Sequence, residues 1–185
     1  MNKTPVTKDQ QRAIEALHVD FANRMEKHFT AFVGVVVDSD IAFVDQTTYA
    51  EFIMSLPNPS VSYKFTVQPL DGPVVLDFSL PVAYQFIEHE LSAKAEGPIT
   101  DAERSVLANV VRNVLRGLES CWTPIEKVEV VDAVLETNPE AICIVDPSDI
   151  VILIAFQIHF QHANGLVTLA YPYKTLESVL SKFDA

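Results

Sequence analysis

The stretch Tyr49–Pro59, YAEFIMSLPNP, and the helix–sheet–helix unit around it set the organisation of the chain. That unit occurs twice. Shifted by 93 residues, the sequence superposes its own landmarks without a gap: Thr7 on Thr100, Phe29 on Trp122, Asp71–Gly72 on Asn164–Gly165, and Ile87 on Leu180. Agreement of caps, turns and closing helices at one offset is the mark of an internal repeat. The expectation is one domain, residues 1–185, made of two similar halves: about 7–91 and about 100–184, joined by a linker at 92–99.

Each half opens on a capping box, a threonine followed three residues later by Gln or Glu: Thr7–Gln10 and Thr100–Glu103. The first predicts a helix to about Val33, with Ile14, Leu17, Phe21, Met25, Phe29 and Phe32 spaced by threes and fours and Gly34 as its stop. The second predicts a helix whose stripe is Leu107, Val110, Val114, Leu118, Cys121 and Trp122, stopped at Pro124. Between these helices the period changes to two. Val61, Tyr63, Phe65 and Val67 alternate with polar residues, and Val74, Leu76 and Phe78 return after the Asp71–Gly72 turn. Asp38–Ser39–Asp40 is expected to break Val35–Val44 into short strands. Val128–Leu135 reads as a strand. Ile150–Phe160 is apolar on both faces at its start, as a strand covered on both sides must be. Asn164–Gly165 is expected to turn it into Leu166–Tyr171. Pro81 opens one closing helix, and Lys174–Phe183 forms the other. The fold class that follows is α/β: a pseudo-two-fold pair of helix–β–helix halves sharing a largely antiparallel sheet with long helices packed on it.

The bulk numbers narrow the function. Of 185 residues, 49% are hydrophobic and 21% charged, and the net charge is −12. This is a globular composition. The acidity argues against nucleic acid, whose phosphates need a basic surface, and against anionic lipid. Met1–Gln11 is polar, so no signal peptide is expected, and Ile150–Phe156 is far too short for a bilayer span of roughly 20 residues. Two cysteines, Cys121 and Cys143, are expected as reduced, buried thiols in a cytosolic protein.

No cofactor or metal site is expected. The sequence has no P-loop, nucleophile elbow or G-x-G-x-x-G. His159 and His162 point to opposite faces of a strand. His18 and His28 are about 15 Å apart along one helix. Glu126, Glu129 and Asp132 read as a solvated strand edge, and Trp122 as a core anchor. Arg104, Arg112 and Arg116, at i, i+8 and i+12, form a candidate basic ridge for an acidic neighbour.

Tyr49-x-x-Phe52-x-x-Ser55-Leu56-Pro57-Asn58-Pro59 resembles the signature of the middle domain of the flagellar motor switch protein FliM family. Three further places agree: Ile14–Phe21 with Glu15-x-x-His18; Thr137–Asn138–Pro139 with Asp146–Pro147–Ser148–Asp149–Ile150–Val151; and Tyr171–Pro172–Tyr173-x-Thr175-Leu176-Glu177. The resemblance runs from about residue 9 to 180. The family's N-terminal CheY-binding peptide and C-terminal FliN-like domain lie outside it.

The resemblance implies a CheC-like fold and a structural subunit of the switch ring (C-ring), at the cytoplasmic face of the inner membrane in the flagellar basal body. Such a subunit binds FliG and neighbouring copies of itself, and is linked indirectly to phospho-CheY and FliN. It implies a FliG-facing linker at Leu91, Ser92, Ala93, Lys94, Ala95, Glu96 and Gly97, where the family carries Gly-Gly-x-Gly. Without those glycines the backbone is not expected to follow the same positive-φ path. Self-association is assigned to Arg104, Arg112 and Arg116. The competing reading is a CheC-type phosphatase acting on phospho-CheY. Such enzymes carry Glu-x-x-Asn on each long helix. Here the first helix has Glu15-x-x-His18, and Asn109 and Asn113 have no glutamate three residues before them. No enzymatic activity is therefore expected.

Overall fold

A computed structural model describes residues 5–184. The start of the polar Met1–Gln11 stretch lies outside them. Helix α1 spans Lys8–Val33 and α4 spans Asp101–Trp122; both open on the complete capping box. In each, the threonine hydroxyl accepts from the N–H of the third helical residue, whose side chain accepts from the threonine N–H. Gly34 ends α1 in the left-handed region, at φ 78°, where a side chain would be strained.

Strands β1 (Asp38–Thr48), β2 (Val61–Gln68), β3 (Pro73–Phe78), β4 (Glu129–Glu136), β5 (Ile150–His159) and β6 (Asn164–Pro172) form one antiparallel sheet in the order β1-β5-β6-β3-β2-β4. Exchanging each strand with its counterpart 93 residues on (β1 with β4, β2 with β5, β3 with β6) reproduces this order in reverse. The sheet therefore carries a two-fold relation whose axis runs between β3 and β6. Its two outer strands, β1 and β4, are themselves counterparts.

One face of the sheet is covered by α1, α4 and α3 (Leu80–Leu91). The main core lies there. The predicted α1 residues Ile14, Phe21, Met25 and Phe29 and all six predicted α4 residues are buried, against Leu76, Ile154, Phe156 and Leu169 from the sheet. Pro81 sits in the first turn of α3. A short helix, α2 (Tyr49–Met54), covers part of the other face, where Tyr49 and Phe52 pack with Val75, Ile142, Val151 and Ala170. The SLPNP segment follows α2 and contains a cis Asn58–Pro59 bond.

The structure corrects several expectations. Asp38–Ser39–Asp40 does not interrupt a strand but begins β1, whose irregularity is a bulge at Ile41/Phe43. Ser39 is turned inward, and its N–H donates to Glu26 Oε1 at 2.9 Å, so a side chain from α1 supplies the partner that sequence reading assigned to a turn. Asn164–Gly165 lies inside β6, paired with His159 and Ile158. The turn is one step earlier, closed by Phe160 N–H donating to Ala163 C=O. The closing helix is α-helical only over α5 (Tyr173–Leu176) and continues as a 3-10 helix, Glu177–Phe183. Leu176, Val179, Leu180 and Phe183 are nonetheless all buried. Cys121 is buried as expected, but Cys143 is exposed.

Candidate functional site

The segment between α3 and α4 is a surface loop held at one point. Helix α3 ends at Leu91, and Ser92 follows in the left-handed region at φ 53°. Gly97 is the second such residue, at φ 73°. With no glycine at 91–96, the loop still takes a positive φ at Ser92, which adopts it with a side chain at some conformational cost. Between these bends the Ala95 N–H donates to Glu88 Oε2 at 2.8 Å, and the Ala95 methyl is buried. Leu91, Ser92, Ala93 and Lys94 stand exposed on one side of this anchor, and Glu96 and Gly97 on the other.

The three arginines of α4 are exposed, and among the described residues none is in an ion pair. The structure brings Arg112 and Arg116 together along one groove between α4 and β4, about 340 Å³ in volume, over a floor of Val111, Leu115 and Val130. Arg104 lies off that groove. It is close enough to Tyr63, at the groove floor, for its charge to oppose the upward shift that burial imposes on the phenol. Among the described residues the buried Tyr63 hydroxyl has no hydrogen-bond partner. On the other side of α4, Arg116 lines a second groove with Arg24 and Lys27 of α1, where Arg24 is paired with Asp20. Gly117 permits this close approach of α1 and α4, since a Cβ there would lie 3.4 Å from the Arg24 Cβ. Sequence reading missed this second basic patch, because it is made by two helices far apart in the chain.

The competing phosphatase reading places its chemistry on the two long helices. His18, at the position of interest on α1, is fully buried. Its Nδ1–H donates to Ile14 C=O (2.8 Å) and its Nε2 accepts from the Tyr171 hydroxyl (2.7 Å), which in turn accepts from Trp122 Nε1–H at 3.1 Å. Burial pushes the His18 pKa down to about 4, against the upward pull of its bond to Ile14. The imidazole is neutral at pH 7, both nitrogens are occupied, and water cannot reach it. Asn109 and Asn113 are exposed on α4, where Asn109 Oδ1 accepts from Arg112 and Asn113 Nδ2 donates to the Asn109 C=O.

Comparison with known proteins bears on these features. The family model described as flagellar motor switch protein FliM matches residues 7–185. The chain belongs to the FliM family. FliM of Treponema pallidum is 30% identical over 184 residues, covering 97% of this chain and 54% of its own length. FliM of Bacillus subtilis is 26% identical, covering 96% and 55%. The chain thus spans about half the length of these relatives.

Two solved FliM structures resemble it throughout. FliM in the FliM–SpeE complex from H. pylori has a TM-score of 0.91 at 28% identity, covering 97% of this chain and 96% of that one. FliM in the FliG–FliM complex from H. pylori has a TM-score of 0.90 at 27% identity, covering 95% and 100%. A CheC-like protein from Shewanella shares the fold alone (TM-score 0.55, 10% identity, 89% and 98% covered).

Proposed function

We propose that this chain is the middle part of a FliM: a structural and signalling subunit of the bacterial flagellar motor switch, and not an enzyme. It comprises two halves, about 7–91 and 100–184. In this reading it contacts FliG through Leu91–Gly97 and neighbouring FliM copies through Arg104, Arg112 and Arg116. It works at the cytoplasmic face of the inner membrane, linked to phospho-CheY and FliN through the assembled ring. The observation that carries the reading is the match, over 95% of this chain, to a FliM solved in complex with FliG. The anchored linker supports it, since two exposed flanks around a fixed centre present a defined surface. The buried, neutral His18 speaks against the phosphatase alternative, whose water-aligning group must reach solvent.

Calorimetric titration with the FliG middle domain of the same organism tests this. Binding is expected, and Ala95→Glu, which expels the anchor from the core, is expected to weaken it at least tenfold. No binding by the native chain, and none after Ser92–Ala95 is replaced by a glycine-containing family loop, would remove FliG from the partner list. For the ring contact, Arg112→Glu with Arg116→Glu is expected to abolish self-association in sedimentation at high concentration. Unchanged association would put that contact elsewhere.

A further inference from the structure

The sheet face opposite the long helices is only partly covered. Beyond α2 it holds a groove of about 450 Å³, open along one side, lined by Phe43, Leu56, Pro57, Leu80, Leu153 and Leu166. Phe43 is 45% exposed at the groove. In this apolar wall sits one charged group, Asp77, on β3 and only 7% exposed. Its Oδ1 accepts from Ser62 Oγ at 2.7 Å. Among the described residues its carboxylate receives no other hydrogen bond. The second oxygen is not sealed off but opens to the groove, where a cation brought by a ligand would pair with it.

Among the described residues no cation fills that role. The lining holds no other titratable side chain. On β2, Lys64 sits two residues from Ser62, but its Nζ donates to Ile142 C=O. Glu136 of β4, opposite Ser62, accepts from the Asn138 N–H. Asp45 of β1, opposite Leu153, is exposed and adds negative charge at the rim. The groove is therefore apolar in lining and anionic in charge.

We propose that this groove is a docking site for an apolar protein segment that presents one lysine or arginine side chain to Asp77. The charge complementarity decides the occupant: an apolar lining with a single carboxylate matches an apolar segment that carries one basic side chain. The site is separate from the linker, which leaves the far end of α3 about 18 Å away at 1.5 Å per residue. The inference goes beyond the switch reading and does not require it.

The test titrates the 185-residue protein with acetyl-Leu-Leu-Lys-Leu-Leu-amide and with its norleucine counterpart, followed by methyl NMR at pH 7. Shifts are expected at Leu56, Leu80, Leu153 and Leu166, with the lysine peptide bound about tenfold tighter. At pH 5 the preference is expected to vanish, because burial raises the Asp77 pKa to about 6 and the protonated group no longer attracts a cation. Asp77→Asn, which keeps an acceptor for Ser62, is expected to erase the preference at both pH values. Thr168→Arg, which puts a cation opposite Asp77 in the β3–β6 register, is expected to block both peptides. Equal binding of the two peptides overturns the proposal, as does a preference that survives Asp77→Asn. Tighter binding of n-octylammonium than of the lysine peptide overturns it in favour of a small-molecule site. The same shifts on concentrating the protein alone overturn it in favour of a second copy.

Discussion

Two buried polar sites lie on opposite faces of one sheet, and they differ in how completely their hydrogen bonds are made. Under the long helices, His18, Tyr171 and Trp122 form a chain in which each ring nitrogen and the phenol have partners. On the open face, Asp77 has one. A closed network in a dry core specifies a packing arrangement and does little else. A half-made one beside a groove retains binding capacity. The first site ties α1, α4 and β6 together; the second is where a partner can still add something.

The largest expected effect tests the closed network. Trp122→Ala removes the biggest fully buried side chain, and a loss of about 3–5 kcal/mol is expected in urea unfolding. A loss near 1 kcal/mol would mean that the helices are held elsewhere. Tyr171→Phe separates packing from hydrogen bonding. It keeps the ring but leaves His18 Nε2 and Trp122 Nε1 unpaired, for a loss of about 1–3 kcal/mol.

The pH dependence sharpens the contrast, because the two sites have opposite signs. The folded-state pKa of His18 is lowered to about 4. Its contribution is present above its ordinary value of 6.5 and is lost as pH falls toward 4. That of Asp77 is raised from 3.8 to about 6 by burial. Its contribution is full below 3.8 and is lost as pH rises through 6. Asp77→Asn is therefore expected to stabilise the protein by about 3 kcal/mol at pH 7 and by nothing below pH 4. It should also leave a steeper loss on acidification, now governed by His18. A gain from Asp77→Asn that is equal at all pH values would contradict this assignment. The smallest effects compare the two halves. Thr7→Ala and Thr100→Ala each remove one side of a capping box, and each is expected to cost about 1 kcal/mol.

The two long helices were legible from local chemistry. Thr7, Gln10, Thr100 and Glu103 announce helix starts within four residues, and the stripes behind them repeat at helical spacing. The reading failed where a distant partner overrides a local signal. Asp38–Ser39–Asp40 looks like a turn until Glu26 of α1 is there to receive Ser39. Asn164–Gly165 looks like a turn because Gly and Asn favour one, yet the tight pairing of β5 with β6 moves the bend to Phe160–Ala163. Tyr171 is 153 residues from His18, beyond any spacing argument. Asp77 was recoverable, since the β2–β3 hairpin register places it opposite Ser62. Strand alternation, however, assigns such a residue to solvent. The arginine groove was half legible: Arg112 and Arg116 share a face, but the buried Tyr63 hydroxyl beneath them comes from β2.

The assignment of faces is tested most directly by mapping FliG on the isotope-labelled protein by NMR. With unlabelled FliG middle domain added, the account expects shifts at Leu91 to Gly97 and none at Leu153 or Leu166. Shifts at the groove, with the linker silent, would contradict it.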